Sequence, residues 1–197
     1  MIAFSVFDFA PVMDYPRPGK MKVFDLTENY DPDYIRSFKW GIGKYNERRL
    51  NMYTAPQYEN KRNIHIGIDI WSEAGQPVFS FYKGIVCYMA NHDQKGNYGP
   101  TLVIRYTFSG KNLYALFGHL SVMTLNNITV DKSVRKGEKI ATIGTESENG
   151  GWPPHLHFQL CRQNPGKADM PGVVSEENRG QALKKYPDPR LVLGPLY

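Results

Sequence analysis

Cysteine is nearly absent from this chain, with two among 197 residues, Cys87 and Cys161. Both lie in apolar, strand-like runs, so free buried thiols are expected, and they indicate no redox compartment. A long hydrophobic run is missing as well. The opening Met1–Phe7 stretch is apolar, but it has no basic residues before it and Asp8 ends it. Neither a secretory signal nor a membrane helix is expected from such a segment, which places the chain in the cytoplasm unless another route carries it to the cell envelope. Blocks of like charge are absent too. The formal charge is +5 and the pI about 9.1, but the basic residues are scattered. Their longest groups are the pairs Arg48-Arg49, Lys61-Arg62 and Lys184-Lys185, which read as solvated surface with no nucleic-acid motif beside them. Internal repeats and low-complexity tracts are likewise missing. Nothing in the sequence indicates an oligomeric state.

What remains is one core, 41% hydrophobic overall, with decorations at both ends. Residues 1–62 read as an N-terminal arm broken by Pro11, Pro16, Pro18 and Gly19, with one short strand near Lys22–Leu26. A short helix follows, with Asp31 as N-cap, Pro32 at its first position and Gly41 as its stop. Residues 41–63 read as a loop. From residue 64 the period changes: Ile64, Ile66, Ile68 and Ile70 alternate with His65, Gly67, Asp69 and Trp71, the pattern of a strand. Further strands are predicted at Pro77–Phe81, Gly84–Met89, Thr101–Phe108, Leu113–Phe117 and Lys139–Ile143, with no helical periodicity between them. Residues 63–162 therefore form a mainly β domain. Residues 163–197 form a C-terminal extension with one helix at Ser175–Tyr186, ended by Pro187.

The chemistry-bearing residues lie on these strands. His155 and His157, in the run Trp152–Leu160, are two residues apart and so share a strand face. His65 and Asp69 share a face of theirs, and His119 follows the strand ending at Phe117. His92 reads as a surface-loop residue. A catalytic metal site needs about three protein ligands and an open position. A workable division of the set gives His65, Asp69 and one of the His155/His157 pair as ligands, with the other imidazole and His119 left for proton transfer and charge stabilisation. One obstacle is geometric: positions four apart on a straight strand are separated by roughly 13 Å, so a bend or bulge is expected at Gly67.

The motifs His65-x-x-x-Asp69, Gly118-His119-Leu120 and His155-Leu156-His157-Phe158, in this order, resemble the lysostaphin/LytM-type zinc endopeptidases, which cut peptide cross-links in peptidoglycan. The segments 99–104, 116–121 and 134–140 resemble the strands and turns flanking the motifs in that family, and the form of the last motif is similar to variants found as modules of multidomain proteins. The resemblance implies zinc bound by His65, Asp69 and His157, with His119 and His155 as the catalytic pair that does not bind it. It also implies an antiparallel β-sandwich with a metal-floored groove, and amide hydrolysis of a peptide or peptidoglycan-like substrate by activated water. Two other readings compete. A non-haem Fe(II) oxygenase would use two histidines and a carboxylate, but it leaves two imidazoles without a task. A binding module directed at a small molecule would keep the groove without catalysis.

Overall fold

The computed structural model describes residues 4–17, 19–59 and 61–197. Its strands, in chain order, are β1 (Lys22–Val23), β2 (Gly41–Gly43), β3 (Ile64–His65), β4 (Ile68–Trp71), β5 (Pro77–Phe79), β6 (Gly84–His92), β7 (Gly99–Phe108), β8 (Lys111–Gly118), β9 (Ser133–Val134), β10 (Lys139–Thr142), β11 (His155–Cys161) and β12 (Val173–Val174). The helices are α1 (Pro32–Arg36), α2 (Val122–Asn127), α3 (Glu176–Lys185) and α4 (Arg190–Leu193). Eight strands make the main sheet, in the order β1-β2-β4-β11-β8-β7-β6-β9, and the pairs β10-β5 and β12-β3 form two small sheets. Apart from the parallel β1-β2 pair, neighbouring strands run antiparallel. The protein is mainly β, as the alternating pattern predicts.

Strand alternation sends successive side chains of β11 into two different cores. Leu156, Phe158 and Leu160 pack with Ile68, Ile70, Ala115 and Phe117. On the other face, Cys161 joins Ile64, Ile66, Val103 and Leu116. His155, His157 and Gln159 occupy that second face, so the polar residues share the side that the smaller core only partly fills. Both cysteines are free.

Several expectations needed correction. The helix begins as read, with the Asp31 carboxylate accepting from the backbone N–H groups of Asp33 and Tyr34. It ends at Arg36, however, well before Gly41, which instead opens β2. That strand pairs with β4 through Gly41↔Trp71, Ile42↔Ile70 and Gly43↔Asp69, so part of the expected loop at 41–63 is sheet. The β region also contains α2, whose six residues are too few to show helical periodicity. Residues of the N-terminal arm enter the core as well: Val12 and Met13 are fully buried. The C-terminal helix is where it was read, with Ser175 preceding it and Tyr186 closing it, and the chain end packs through Leu196.

Gly67 explains how two residues four apart reach one point. The chain does not bulge within one ladder; it changes partners. β3 pairs with β12 and β4 pairs with β2 and β11, and Ile66-Gly67 joins them outside either strand. A second reason for glycine is proximity, because a Cβ built at Gly67 would lie 2.6 Å from His157 Nε2 and 3.0 Å from the Phe158 carbonyl oxygen. Alanine there must push the His157 ring aside. Gly67→Ala is expected to fold but to bind divalent metal about 10- to 100-fold more weakly, the range for losing a group that orients a ligand. Chelator competition giving wild-type affinity would show that the ring tolerates the displacement.

Candidate metal centre

The sheet register assembles the site. His157 on β11 lies opposite Asp69 on β4 and, on its other side, opposite Gly118 on β8. Cross-strand neighbours on one face lie about 5 Å apart, so a single histidine is flanked by the acid and by the residue leading into His119. His65 arrives from β3, and His155 is two residues back along β11. All five residues expected from sequence converge, and each is 5% exposed or less.

Three donor atoms meet. His65 Nε2 is 3.1 Å from His157 Nδ1, His157 Nδ1 is 2.9 Å from Asp69 Oδ1, and His65 Nε2 is 3.3 Å from Asp69 Oδ1. A tetrahedral zinc with Zn–N and Zn–O bonds near 2.0–2.1 Å separates its ligand atoms by about 3.3–3.4 Å, so the triangle is close to the size one face of such an ion requires. The tautomers are fixed from behind. His65 Nδ1 is 2.9 Å from the Lys44 carbonyl, which can only accept, so Nδ1 carries the proton and Nε2 presents a lone pair. Gln159 Nε2 donates to the Pro171 carbonyl at 3.3 Å, which turns its Oε1 to accept from His157 Nε2–H at 3.0 Å. His157 Nδ1 then also presents a lone pair. Two lone pairs and a carboxylate oxygen thus face one another, a buried arrangement that a cation satisfies and that hydrogen bonding among neutral rings does not.

The electrostatics keep these groups ready for metal. Burial, with Arg49 nearby, lowers the His65 pKa to about 4, so its ring is unprotonated at neutral pH. Burial alone would raise the Asp69 carboxyl, but the Arg49 guanidinium, which donates to its Oδ2, holds it well below the usual carboxylate range. Burial and the neighbouring His155 and His157 hold His119 well below 6.5, and burial also lowers His155.

His119 and His155 form the second part of the site. Their ring centroids are 4.1 Å apart. Each donates its Nδ1–H to a backbone carbonyl, His119 to Asn149 at 2.9 Å and His155 to Pro153 at 2.7 Å, which leaves Nε2 of each as the free nitrogen. His155 Nε2 is 3.8 Å from Asp69 Oδ1. His119 has φ of +61°, a left-handed conformation that costs a non-glycine residue on the order of 1–3 kcal/mol and clusters at functional sites. Backbone bonds hold it there, from His119 N–H to the Tyr98 carbonyl at 2.9 Å and from Gly144 N–H to the His119 carbonyl at 3.0 Å. His92 takes no part; its Nε2 donates to the Ala168 carbonyl, at the half-buried end of β6 rather than in a loop.

Sequence reasoning missed Arg49. The sequence groups it with Arg48 as solvated surface, yet it is fully buried. Its Nη1 donates to Asp69 Oδ2 at 2.6 Å and its Nε to Glu47 Oε2 at 3.1 Å, leaving Asp69 Oδ1 alone to face the histidines. Gly43 makes room for it, since a Cβ there would sit 2.5 Å from Arg49 Nη2. No spacing signal distinguishes Arg49 from the exposed Arg48; only the β-bridge between Arg48 and Ile64 sets which of the two points inward. The structural use of Gln159 was missed for the same reason, because it depends on the Pro171 carbonyl twelve residues away. The site opens into a cleft of about 220 Å³ whose walls include Tyr53, Tyr58, Tyr98 and Trp152.

The predominantly antiparallel β-fold thus carries a buried His-Asp-His set that could hold a metal ion, beside two imidazoles with free nitrogens, the donor types a catalytic metal site requires. Residues 63–170, more than half of the chain, match Peptidase family M23, and the chain belongs to that family. Among curated proteins it is 36% identical over 113 residues to the peptidoglycan DD-endopeptidase ShyB of Vibrio cholerae serotype O1, covering 54% of this chain and 24% of that protein. It is 30% identical over 149 residues to ShyA of the same organism, described as a peptidoglycan DD-endopeptidase too, covering 73% of this chain and 31% of that protein. The chain thus spans under a third of the length of these relatives. Among solved structures, the catalytic domain of the antimicrobial peptidase lysostaphin from Staphylococcus simulans superposes with a TM-score of 0.52 at 19% identity, over 85% of this chain and all of that one, a likeness of fold. Among the described residues, no helix is long and apolar enough to cross a membrane.

Proposed function

We propose that this protein is a zinc metallopeptidase that hydrolyses amide bonds in peptidoglycan-type peptides, with His65, Asp69 and His157 as zinc ligands and His119 and His155 as catalytic residues. The observation that carries this reading is the pair of free imidazole nitrogens next to three converging metal-ligand atoms. Membership of Peptidase family M23 and the description of ShyA and ShyB as peptidoglycan DD-endopeptidases support the substrate class, and a protein acting on such a substrate would work in the cell envelope.

Zinc bound at the triad would supply Lewis acidity and lower the pKa of a bound water from about 15.7 to near 7. His155, whose Nε2 lies beside the triad and whose lowered pKa keeps it unprotonated at pH 7, accepts the proton of the attacking water. His119, with Nδ1 committed to Asn149, acts at Nε2. A proton taken up from solvent at that nitrogen lets it donate to the oxygen on which negative charge develops, and the proton returns to solvent when that charge is lost. The Lys44, Asn149, Pro153 and Gln159 acceptors orient the four rings in advance, so little reorganisation accompanies the reaction. Arg49 binds the outer oxygen of Asp69 and favours ligation through Oδ1 alone. The Fe(II) alternative leaves both oriented imidazoles without a role. The small-molecule binding alternative gives no reason to hold His119 in a strained backbone conformation.

Purified protein is expected to hold about one zinc per chain and to release new amino termini from isolated peptidoglycan, with activity lost on chelation and restored by zinc. Elemental analysis finding iron, or a zinc-loaded protein that leaves peptidoglycan uncut, would overturn this assignment.

A further inference from the structure

A second, larger groove of about 630 Å³ adjoins the metal cleft and shares Arg62, Pro171 and Val173 with it. Its lining carries four cations, Arg62, Arg162, Lys184 and Lys185, and no aspartate or glutamate. Among the described residues, none of the four has a carboxylate within ion-pair distance. Of the acids near them in the chain, Asp188 pairs with Arg190 at 2.7 Å, Glu176, at the start of α3, with Arg179 at 3.2 Å, and Asp169, on the metal-cleft side, with Lys167 at 2.9 Å, while Glu59 is exposed and does not line the groove.

The cations come from separate elements. Arg62 precedes β3, Arg162 follows β11, and the two lysines end α3. Lysines in a last helical turn are common because they complement the helix dipole, but that explanation covers neither arginine. The arrangement is tied to the metal strand, since Arg162 N–H donates to the Lys185 carbonyl at 2.9 Å. From His157 to Arg162 is five positions, or roughly 16 Å of strand, about the length of five residues of extended peptide. Most of this wall, from Ser175 to Tyr186, lies beyond the segment matched to the family.

We propose that this groove is a subsite for the carboxylate groups of the peptide whose amide bond lies at the metal, so that the enzyme selects substrates with free carboxylates within about five residues of the cleaved bond. The inference rests on the peptidase reading above. Cations without carboxylate partners along one concave wall, among them Arg62 against the Gln57 carbonyl and Tyr58 ring and Lys185 over the Tyr186 ring, concentrate anions there, and guanidinium groups pair with carboxylates in a two-pronged geometry. Arg62, shared by both cavities, connects the subsite to the metal.

The test uses cross-linked peptides released from peptidoglycan, with carboxyl groups either free or converted to primary amides, and the zinc-loaded full chain. The wild-type protein should show a KM about tenfold lower for the free form with kcat within about twofold. The triple variant Arg162→Gln/Lys184→Gln/Lys185→Gln should raise KM for the free form about tenfold, leave the amidated form unchanged and keep its zinc. The unchanged amidated rate also shows that the variant is folded. Calorimetry on zinc-loaded His155→Ala should show the same preference in binding alone. Equal KM for both forms in the wild-type protein, or a preference that survives in the triple variant, would overturn the subsite and leave the peptidase reading standing. Tight inhibition by inorganic polyphosphate with no effect of amidation would assign the groove to phosphate polymers and overturn it too. Failure to cut either peptide with zinc bound would remove both.

Discussion

His157→Ala is expected to lose most of its bound zinc, while His155→Ala keeps its zinc and turns over roughly 10²- to 10⁴-fold more slowly, the usual range for removing a general acid or base. The two residues share a strand, a face and near-complete burial, so composition and exposure do not separate them. The difference lies in which nitrogen is free and where it lies. His157 Nδ1 is within about 3 Å of both other ligand atoms, and removing it leaves a two-donor remnant that holds the ion poorly. His155 Nε2 is 3.8 Å from Asp69 Oδ1, beside the triangle rather than part of it. His119→Ala should resemble His155→Ala, retaining metal and losing rate through lost charge stabilisation. Zinc titration beside a rate measurement reads both quantities, and equal metal loss in the His155 and His157 variants would reverse the assignment of roles. If all the imidazoles were structural, the variants would show graded stability losses with no split between metal content and rate.

Removing Arg49 should produce the largest change in stability. Arg49→Met keeps the length of the side chain but leaves Asp69 and Glu47, 2% and 3% exposed, without their shared cation. Breaking a buried ion pair from one side costs about 3–5 kcal/mol, because the remaining charge is desolvated and unpaired. For a chain of this size that corresponds to a fall in Tm on the order of 10 °C. Glu47 keeps Lys44 at 3.1 Å, so the deficit falls mainly on Asp69. Zinc should therefore recover part of the loss by giving Asp69 a new cation, and the variant should be hurt more without metal than with it. Paired thermal melts of the metal-free and zinc-loaded proteins test this. A metal-free Tm within about 1 °C of wild type would mean that Asp69 is held by something other than Arg49.

The core of the fold was legible in the chain because a strand writes its two faces into alternate positions. Ile64–Trp71 shows that period without interruption, and burial on at least one face enforces it, whereas the runs that became β6, β7 and β8 are short, near-continuous apolar stretches set between turn signals. Four of the five convergent residues were legible for a related reason: His65 and Asp69, like His155 and His157, are spaced by even numbers, which an alternating strand pattern assigns to common faces, and the fifth, His119, stood out as the residue following the strand that ends at Phe117. Helices of five or six residues left weak traces. Asp31-Pro32 marks the start of α1, because capping is a local interaction, but nothing comparable marks its end or predicts α2, where tertiary contacts decide the conformation.

By itself the sequence determined a mainly β domain and the residues that could meet at a metal, because side-chain parity and capping are fixed by covalent geometry within a few residues. Only the tertiary structure decided what orients those residues. The change of partners at Gly67, the burial of Arg49 against Asp69 and the tautomers set by Lys44, Gln159 and Pro171 all join segments far apart in the chain. Their strength comes from burying charge and lone pairs in a shared low-dielectric space. That space exists only once the sheets have formed, so no local pattern of residues encodes it.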